Sequence, residues 1–291
     1  MSKQGSVIIP AHNEASVIER TLAALLRSVG DRDVEIVVVA NGCSDDTAER
    51  ARQFSDRVTV VESEIGSKIL ALNLGDEHAT AFPRLYLDGD IEVSETLVGD
   101  LFEALAGSEP LAAWPNVKYD TSHSSIIVSA FYYVWTRLPY NRPGRIGVGI
   151  YGMNEAGRSK FGIFPKIISD DGFVRGQFGP AERRIVNSCH TTVQAPVTTT
   201  DLIKIRTRSR LGVYELRSHD QQALQRHRAG DRLSNTLLTI LRPDILLRFP
   251  VYVILNIIIR LRARRQLRNL KNYKWERDES TRSSQPIPEA N

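Results

Sequence analysis

Cysteine and methionine are nearly absent: among 291 residues there are two cysteines, Cys43 and Cys189, and two methionines. Cysteines so few and so far apart make neither a disulfide framework nor a zinc-site spacing, and a reducing compartment is the expected setting. Long apolar runs are lacking too. The notable one, Phe249–Ile259, has eleven residues interrupted only by Asn256. At helical rise it covers roughly 16 Å, about half of a bilayer hydrocarbon core, and is not expected to cross alone. The opening MSKQGSVIIPAHNE has no apolar stretch followed by a small-residue cleavage site, so no secretory signal is read and a cytoplasmic location is expected.

What is present is ordinary in bulk, with 42% hydrophobic and 25% charged residues, which excludes collagen-like and bulk-disordered classes. The net charge of +4 hides an asymmetry. Residues 242–277 hold ten Lys/Arg against two acids, Asp244 and Glu276, so the remainder is net negative. An apolar segment beside such a basic cluster reads either as an interfacial anchor for an anionic membrane surface, through residues 249–274 at the inner face of a membrane, or as a C-terminal helix packed on the domain. Nucleic acid is not an expected partner, because no zinc spacing, aromatic RNA-binding signature or recognition-helix pattern accompanies the charge.

The first half alternates short β-branched runs (Val7–Ile9, Ile36–Val39, Val58–Val61, Leu85–Leu87) with helical patterns, the mark of βαβ units and a mainly parallel sheet flanked by helices. The first helix is expected over Ala15–Val29, and a second over Ala48–Phe54 capped by Asp45-Asp46-Thr47. Beyond residue 110 a helix at Ile126–Leu138, a Gly/Pro-rich stretch at Pro139–Gly152, a helix at Asp171–Phe178, an extended Thr191–Thr200 and a basic Leu202–Arg210 helix are expected. The division is one catalytic domain over 1–225, with halves 1–110 and 111–225, and a helical extension over 226–291 whose end reads as disordered.

Four loops follow strands, where open α/β sheets bind ligands. They are Pro10–Glu14, Asn41–Thr47, Ser67-Lys68 and Asp88-Gly89-Asp90. Asn41 offers a donor and an acceptor suited to a nucleobase edge, and Lys68 is a point charge suited to phosphate. Two carboxylates separated by a glycine repel unless they share a cation, for which Mg²⁺ or Mn²⁺ with diphosphate oxygens is the natural partner. Taken alone, a capped turn also explains the first, second and fourth loops, and a solvated surface lysine the third.

Together the strings VIIPAHNE, VVVANGCSDDT, SKILALNLG, LYLDGDIEV and ISDDGFVRGQF resemble the family 2 glycosyltransferases of the A-type (GT-A) fold, over residues 5–210. The resemblance implies a nucleotide-diphosphate sugar donor over the first half of the sheet and a saccharide or lipid-linked acceptor over the second, in cell-surface polysaccharide or glycolipid synthesis. It implies that Pro10, Ala11 and Glu14 border the nucleotide, that Asn41 faces the base, and that Lys68 lies near base and phosphates. Asp90 would be the direct ligand of a divalent cation, with Asp88 nearer the ribose or metal-bound water. Asp170-Asp171 replaces the family's Glu-Asp pair at a helix start. By analogy with inverting members Asp171 is the general base, and Arg175 one turn on pairs with it or reaches phosphate.

Three departures stand out. Ala40-Asn41 replaces the usual acid after the second strand, and Ser67 stands where Gly usually precedes the lysine. The Gln-Arg-x-x-Trp motif of processive relatives is absent, with Arg206–Arg210 near its expected place, so single addition is expected. His190 is a weak candidate third metal ligand, and His123 and His219 have no better claim. A catalytically silent scaffold of the same fold is the alternative.

Overall fold

The computed structural model describes residues 3–139, 149–219 and 239–270. The 225/226 boundary, Tyr140–Val148 of the Gly/Pro-rich stretch, and Lys271, Lys274 and the chain end from residue 271 lie outside the described residues.

An eight-stranded sheet runs in the order β3-β2-β1-β4-β7-β6-β8-β5. The strands are β1 (Ser6–Ala11), β2 (Glu35–Asn41), β3 (Thr59–Ser63), β4 (Arg84–Leu87), β5 (Glu92–Val93), β6 (Ala112–Asp120), β7 (Ile150–Met153) and β8 (Arg183–Gln194). β1 to β4 are mutually parallel, β7 is antiparallel to both β4 and β6, β8 runs parallel to β6, and β5 closes the far edge antiparallel to β8. Helices are α1 (Ile18–Val29), α2 (Thr47–Arg52), α3 (Lys68–His78), α4 (Leu97–Leu105), α5 (Ile126–Arg137), α6 (Glu155–Arg158), α7 (Asp170–Gly176), α8 (Thr199–His219), α9 (Pro243–Leu246) and α10 (Phe249–Leu267).

The period-two alternation of a strand divides the core. On β2, Ile36 and Val38 join the main cluster with Ile18, Leu22 and Leu25 of α1, while Val37 and Val39 pack with Ala71 of α3. β1 is buried along its whole length. A separate cluster joins Phe131 and Trp135 of α5, Leu202 of α8, Ile245 of α9, and Tyr252 and Ile259 of α10.

Two polar knots fix the lower end of the sheet, where Ser6 lies opposite both Glu35 and Arg84. Glu35 accepts from Ser6 Oγ at 2.6 Å, Thr80 Oγ1 at 2.5 Å and the Thr80 and Ala81 amides at 2.8 and 3.1 Å. Burial pushes its carboxyl up, but these donors together bring it down to about 2. Asp76 on α3 holds two arginines: Oδ1 takes Arg84 at 2.7 Å and the Tyr86 hydroxyl at 2.6 Å, and Oδ2 takes Arg158 Nε at 2.8 Å.

Several expected boundaries shift. α1 starts at Ile18 rather than Ala15, because the Glu14 amide donates to Thr47 Oγ1 at 2.7 Å and Ala15 N to Asp45 Oδ2 at 3.1 Å, tying that stretch to the next loop. Asp46 occupies the N-cap of α2 without a side-chain bond. Asp45 instead accepts from Thr47 N at 3.1 Å. The extended segment placed at Thr191–Thr200 runs Arg183–Gln194, with α8 already helical at Thr199.

Candidate active site

The four loops meet at the upper edge of the sheet, and Asn41 organises the first three. Its side chain is buried at 2% exposure. Nδ2 donates to Ala11 O at 2.7 Å and Oδ1 accepts from Ser67 N at 2.9 Å. The amide expected to face a base is therefore turned inward, and both its polar atoms go to backbone. It ties the end of β1 to the N-cap of α3, where Ser67 Oγ accepts from Leu70 N at 3.3 Å. Gly42 makes this crossing possible. Its φ is +56°, and a Cβ there would run into the Gly66 backbone.

Lys68, the first residue of α3, leans from this anchored start across the cleft. Its ammonium lies 2.7 Å from Asp88 Oδ1 and 3.0 Å from Asp170 Oδ1. The end of β4 and the start of α7, 82 residues apart in sequence, thus share one cation. Burial pulls the lysine pKa down, yet Asp170 and Asp88 outweigh it and hold the ammonium above the ordinary lysine range. Enclosure in the cleft pushes the Asp88 carboxyl up; Lys68 opposes this, while Asp170 and Asp90 add to it.

The Asp88-Gly89-Asp90 turn lies against the Pro10–Glu14 loop. The Gly89 carbonyl accepts from Thr21 Oγ1 at 3.0 Å. A Cβ on Gly89 would sit 3.4 Å from Glu14 Cγ, 3.6 Å from Pro10 O and 3.7 Å from Ala11 Cβ. Pro10, Ala11 and Glu14 are buried, so they form the floor under the turn. Asp90 is exposed at its rim.

The two acids of α7 differ in surroundings. Asp170 is buried at 3% exposure, and its Oδ2 accepts from the Tyr151 hydroxyl at 3.1 Å. With Oδ1 on Lys68, both of its oxygens are engaged. Asp171 is half-buried. Its Oδ1 accepts from Ser169 Oγ and from Gly172 N, each at 2.7 Å. These bonds orient the carboxylate and leave Oδ2 facing away from them. Arg175 is half-buried in the last turn of α7.

The donor set fits a divalent cation. Asp88 and Asp90 repel one another across a glycine, and Asp90 adds to the rise of the Asp88 carboxyl after burial and Asp170. Among the described residues no three His, Cys, Asp or Glu side chains converge to hold a metal by themselves. Mg²⁺-type binding needs only one or two carboxylates, with substrate phosphates sharing the ion. His190 is not gathered with the acid pair. It sits on β8 opposite Asn116, with its amide donating to Ser94 Oγ at 3.1 Å.

Sequence reasoning missed the support behind Asp170. Tyr151 on β7 stacks on Tyr86 of β4 with ring centroids 5.1 Å apart, and the Tyr86 hydroxyl is the one held by Asp76. A line of contacts therefore runs from Asp76 through two tyrosines to Asp170. The only sequence signal was Tyr86, on β4 two residues before Asp88.

Residues 6–160 match the profile of the family described as glycosyl transferase family 2. The chain belongs to this family. Among curated relatives, it is 30% identical over 110 residues to a validoxylamine A glucosyltransferase of Streptomyces hygroscopicus, 36% of this chain and 26% of that protein. It is 39% identical over 90 residues to the glycosyltransferase AglE of Haloferax volcanii, 29% of this chain and 30% of that protein. These matches thus span only about a quarter to a third of those relatives.

The fold is similar to a mannosyltransferase of Pyrobaculum calidifontis solved with GDP-Man and Mn²⁺, at TM-score 0.64, 17% identity, and 94% and 89% coverage of the two chains. It is also similar to the Mycobacterium tuberculosis glucosyl-3-phosphoglycerate synthase solved with Mn²⁺, UDP-Glc and glycerol 3-phosphate, at TM-score 0.53, 19% identity, and 75% and 80% coverage. The family 2 chain therefore has the GT-A architecture expected from its motifs.

Proposed function

We propose that this family 2 chain transfers a sugar from a nucleotide-diphosphate sugar to a hydroxyl of a saccharide or lipid-linked acceptor, with inversion at the anomeric carbon. The observation that carries the reading is the lysine bridge. Lys68 joins Asp88 of the strand-end pair to Asp170, and so sets Asp171 beside the place where donor phosphates would lie. Solved relatives of the same fold hold nucleotide sugars with Mn²⁺.

Asp90, with Asp88, would hold a Mn²⁺ or Mg²⁺ ion, which when bound offsets the charge developing on the diphosphate leaving group. Pro10, Ala11 and Glu14 shape the floor beneath the nucleotide. Asn41 acts by holding the Lys68 end of α3 in place, and Lys68 supplies a fixed positive charge for the diphosphate. Asp170 positions Lys68. Asp171 Oδ2 accepts the acceptor's hydroxyl proton as that oxygen bonds to the anomeric carbon, and the electron pair of the breaking C–O bond leaves with the diphosphate.

The acceptor side is aromatic. Arg206 of α8 lies 3.9 Å above the Trp135 ring, and Tyr119 meets Trp135 edge-on with centroids 5.1 Å apart. Burial, then Tyr132, raise the Tyr119 hydroxyl pKa; Arg206 opposes this, and Asp171's charge adds to it. Trp135 and Tyr132 are buried in the second core cluster, so these rings form the packing behind the acceptor half rather than a face open to a sugar.

Release of nucleoside diphosphate from a panel of nucleotide sugars tests the reading. With Mn²⁺ or Mg²⁺ one donor is expected to turn over, and chelator or Asp90→Asn to abolish turnover. Chelator-resistant turnover would remove the metal role of the acid pair. Donor binding without turnover across a broad acceptor panel would favour a silent scaffold.

A further inference from the structure

The C-terminal helix α10 packs against α8 and α5 through Tyr252, Leu255, Ile259 and Ala263. Its opposite face is apolar and exposed among the described residues: Ile254 is 58% exposed, Ile257 52%, Ile258 41% and Leu261 52%. At roughly 100° per residue these side chains, with Val253, fall within an arc of about 140°. Arg264, Arg265 and Arg268 continue the same arc and are exposed. The outward stripe is therefore apolar for about two and a half turns and then basic to its end. Leu246 and Leu247, just before it, are 52% and 80% exposed.

A monomer in water does not ordinarily leave such a contiguous apolar stripe bare. Charge selects the cover. From Ile245 to Leu270 there are six arginines and no acid. Arginines of α8 add to this field. Burial, then the charges of Arg260 and Arg206, depress the Arg210 guanidinium. An acidic, apolar-backed surface matches both parts of the stripe.

We propose that this face of α10 docks the protein on an anionic lipid leaflet. Among the described residues no helix is long and apolar enough to cross a membrane, and the stripe from Val253 to Leu261 covers only about 13 Å. The isoleucines therefore enter the boundary of one leaflet while the arginines meet headgroup phosphates. Docking reaches the site through packing. α8 lies on α7, and Glu215 of α8 accepts from Ile168 N at 2.7 Å, just ahead of Asp170-Asp171. If the proposed transfer holds, an acceptor anchored in the same leaflet would meet Asp171 from that side; the docking itself does not depend on the transfer chemistry.

The test is flotation of the full chain with phosphatidylglycerol–phosphatidylcholine vesicles and with phosphatidylcholine alone. Wild type is expected to float with the anionic vesicles only, less so in high salt. Reversing Arg264, Arg265 and Arg268 to Glu is expected to weaken binding on the order of a hundredfold. Replacing Ile254, Ile257 and Ile258 with Ser is expected to abolish it, and circular dichroism checks that these exposed substitutions leave the fold intact. No wild-type binding, equal binding to neutral vesicles, or undiminished binding by either variant would overturn the proposal. So would a dimer in sedimentation velocity that the serine variant dissociates without any vesicle binding. Vesicle binding alongside failure of every donor to turn over would overturn the transfer reading and leave the docking surface standing.

Discussion

Asp171→Asn is expected to lower sugar transfer by about two to four orders of magnitude, the usual contribution of a general base. The substitution is close to isosteric, and the amide oxygen can still accept from Ser169 Oγ and Gly172 N, which both reach Oδ1 at 2.7 Å. What is lost is the carboxylate that takes the proton. Donor affinity, measured by calorimetry with nucleoside diphosphate and Mn²⁺, is expected to stay within about twofold, because an interaction made only in the transition state shows in kcat rather than in ground-state binding. A variant within a few-fold of wild-type turnover would contradict the assignment. Asp170→Asn is the contrasting case. Asp170 holds Lys68 at 3.0 Å, so its loss should raise the KM for donor as well as lower kcat.

Asp76→Ala carries the largest expected stability effect. The carboxylate joins Arg84, Arg158 and the Tyr86 hydroxyl, with side-chain exposures of 9% for Asp76, 12% for Arg84 and 14% for Arg158. Removing one member of a buried charge network leaves the others desolvated and uncompensated, at a cost of about 3 to 5 kcal/mol. Urea unfolding followed by circular dichroism measures it, and a loss below about 1 kcal/mol would show that the arginines find water or other partners. The site should feel the change too. Tyr86 stacks on Tyr151, which donates to Asp170.

The first half of this fold was legible because its strands are short apolar runs, most of them rich in Val and Ile. Ser-Val-Ile-Ile-Pro-Ala and Glu-Ile-Val-Val-Val-Ala-Asn bury almost every side chain, and each ends in a polar loop. In the second half the helices expected at Ile126–Leu138 and Asp171–Phe178 appear as Ile126–Arg137 and Asp170–Gly176, but the strands were not legible. β7 is only Ile-Tyr-Gly-Met, three of its residues falling within the stretch read as Gly/Pro-rich and irregular, and carries no period long enough to read. β8 begins at Arg183 with exposed and half-buried residues, so its edge-like start has no apolar alternation.

Residue types announced the acids of the cleft but not their partners. Asp88 and Asp90 were visible as a pair, and Asp170-Asp171 as another. That one lysine bridges the two pairs depends on how far α3 is pulled toward the cleft, and Asn41 sets that through two backbone bonds. The same dependence on tertiary packing hid the face of α10. Its run of Val, Ile and Leu reads as apolar all round, and only the position of α5 and α8 decides which side chains point outward.

The most direct measurement is the anomeric configuration of the first-formed product by proton NMR, using the donor identified in the panel. A single displacement with Asp171 as base and the nucleotide diphosphate departing from the opposite side turns an α-linked donor into a β-linked product. Inversion is the expected result. A product that keeps the donor's configuration would require an enzyme nucleophile or a same-face attack, and would contradict the role assigned to Asp171.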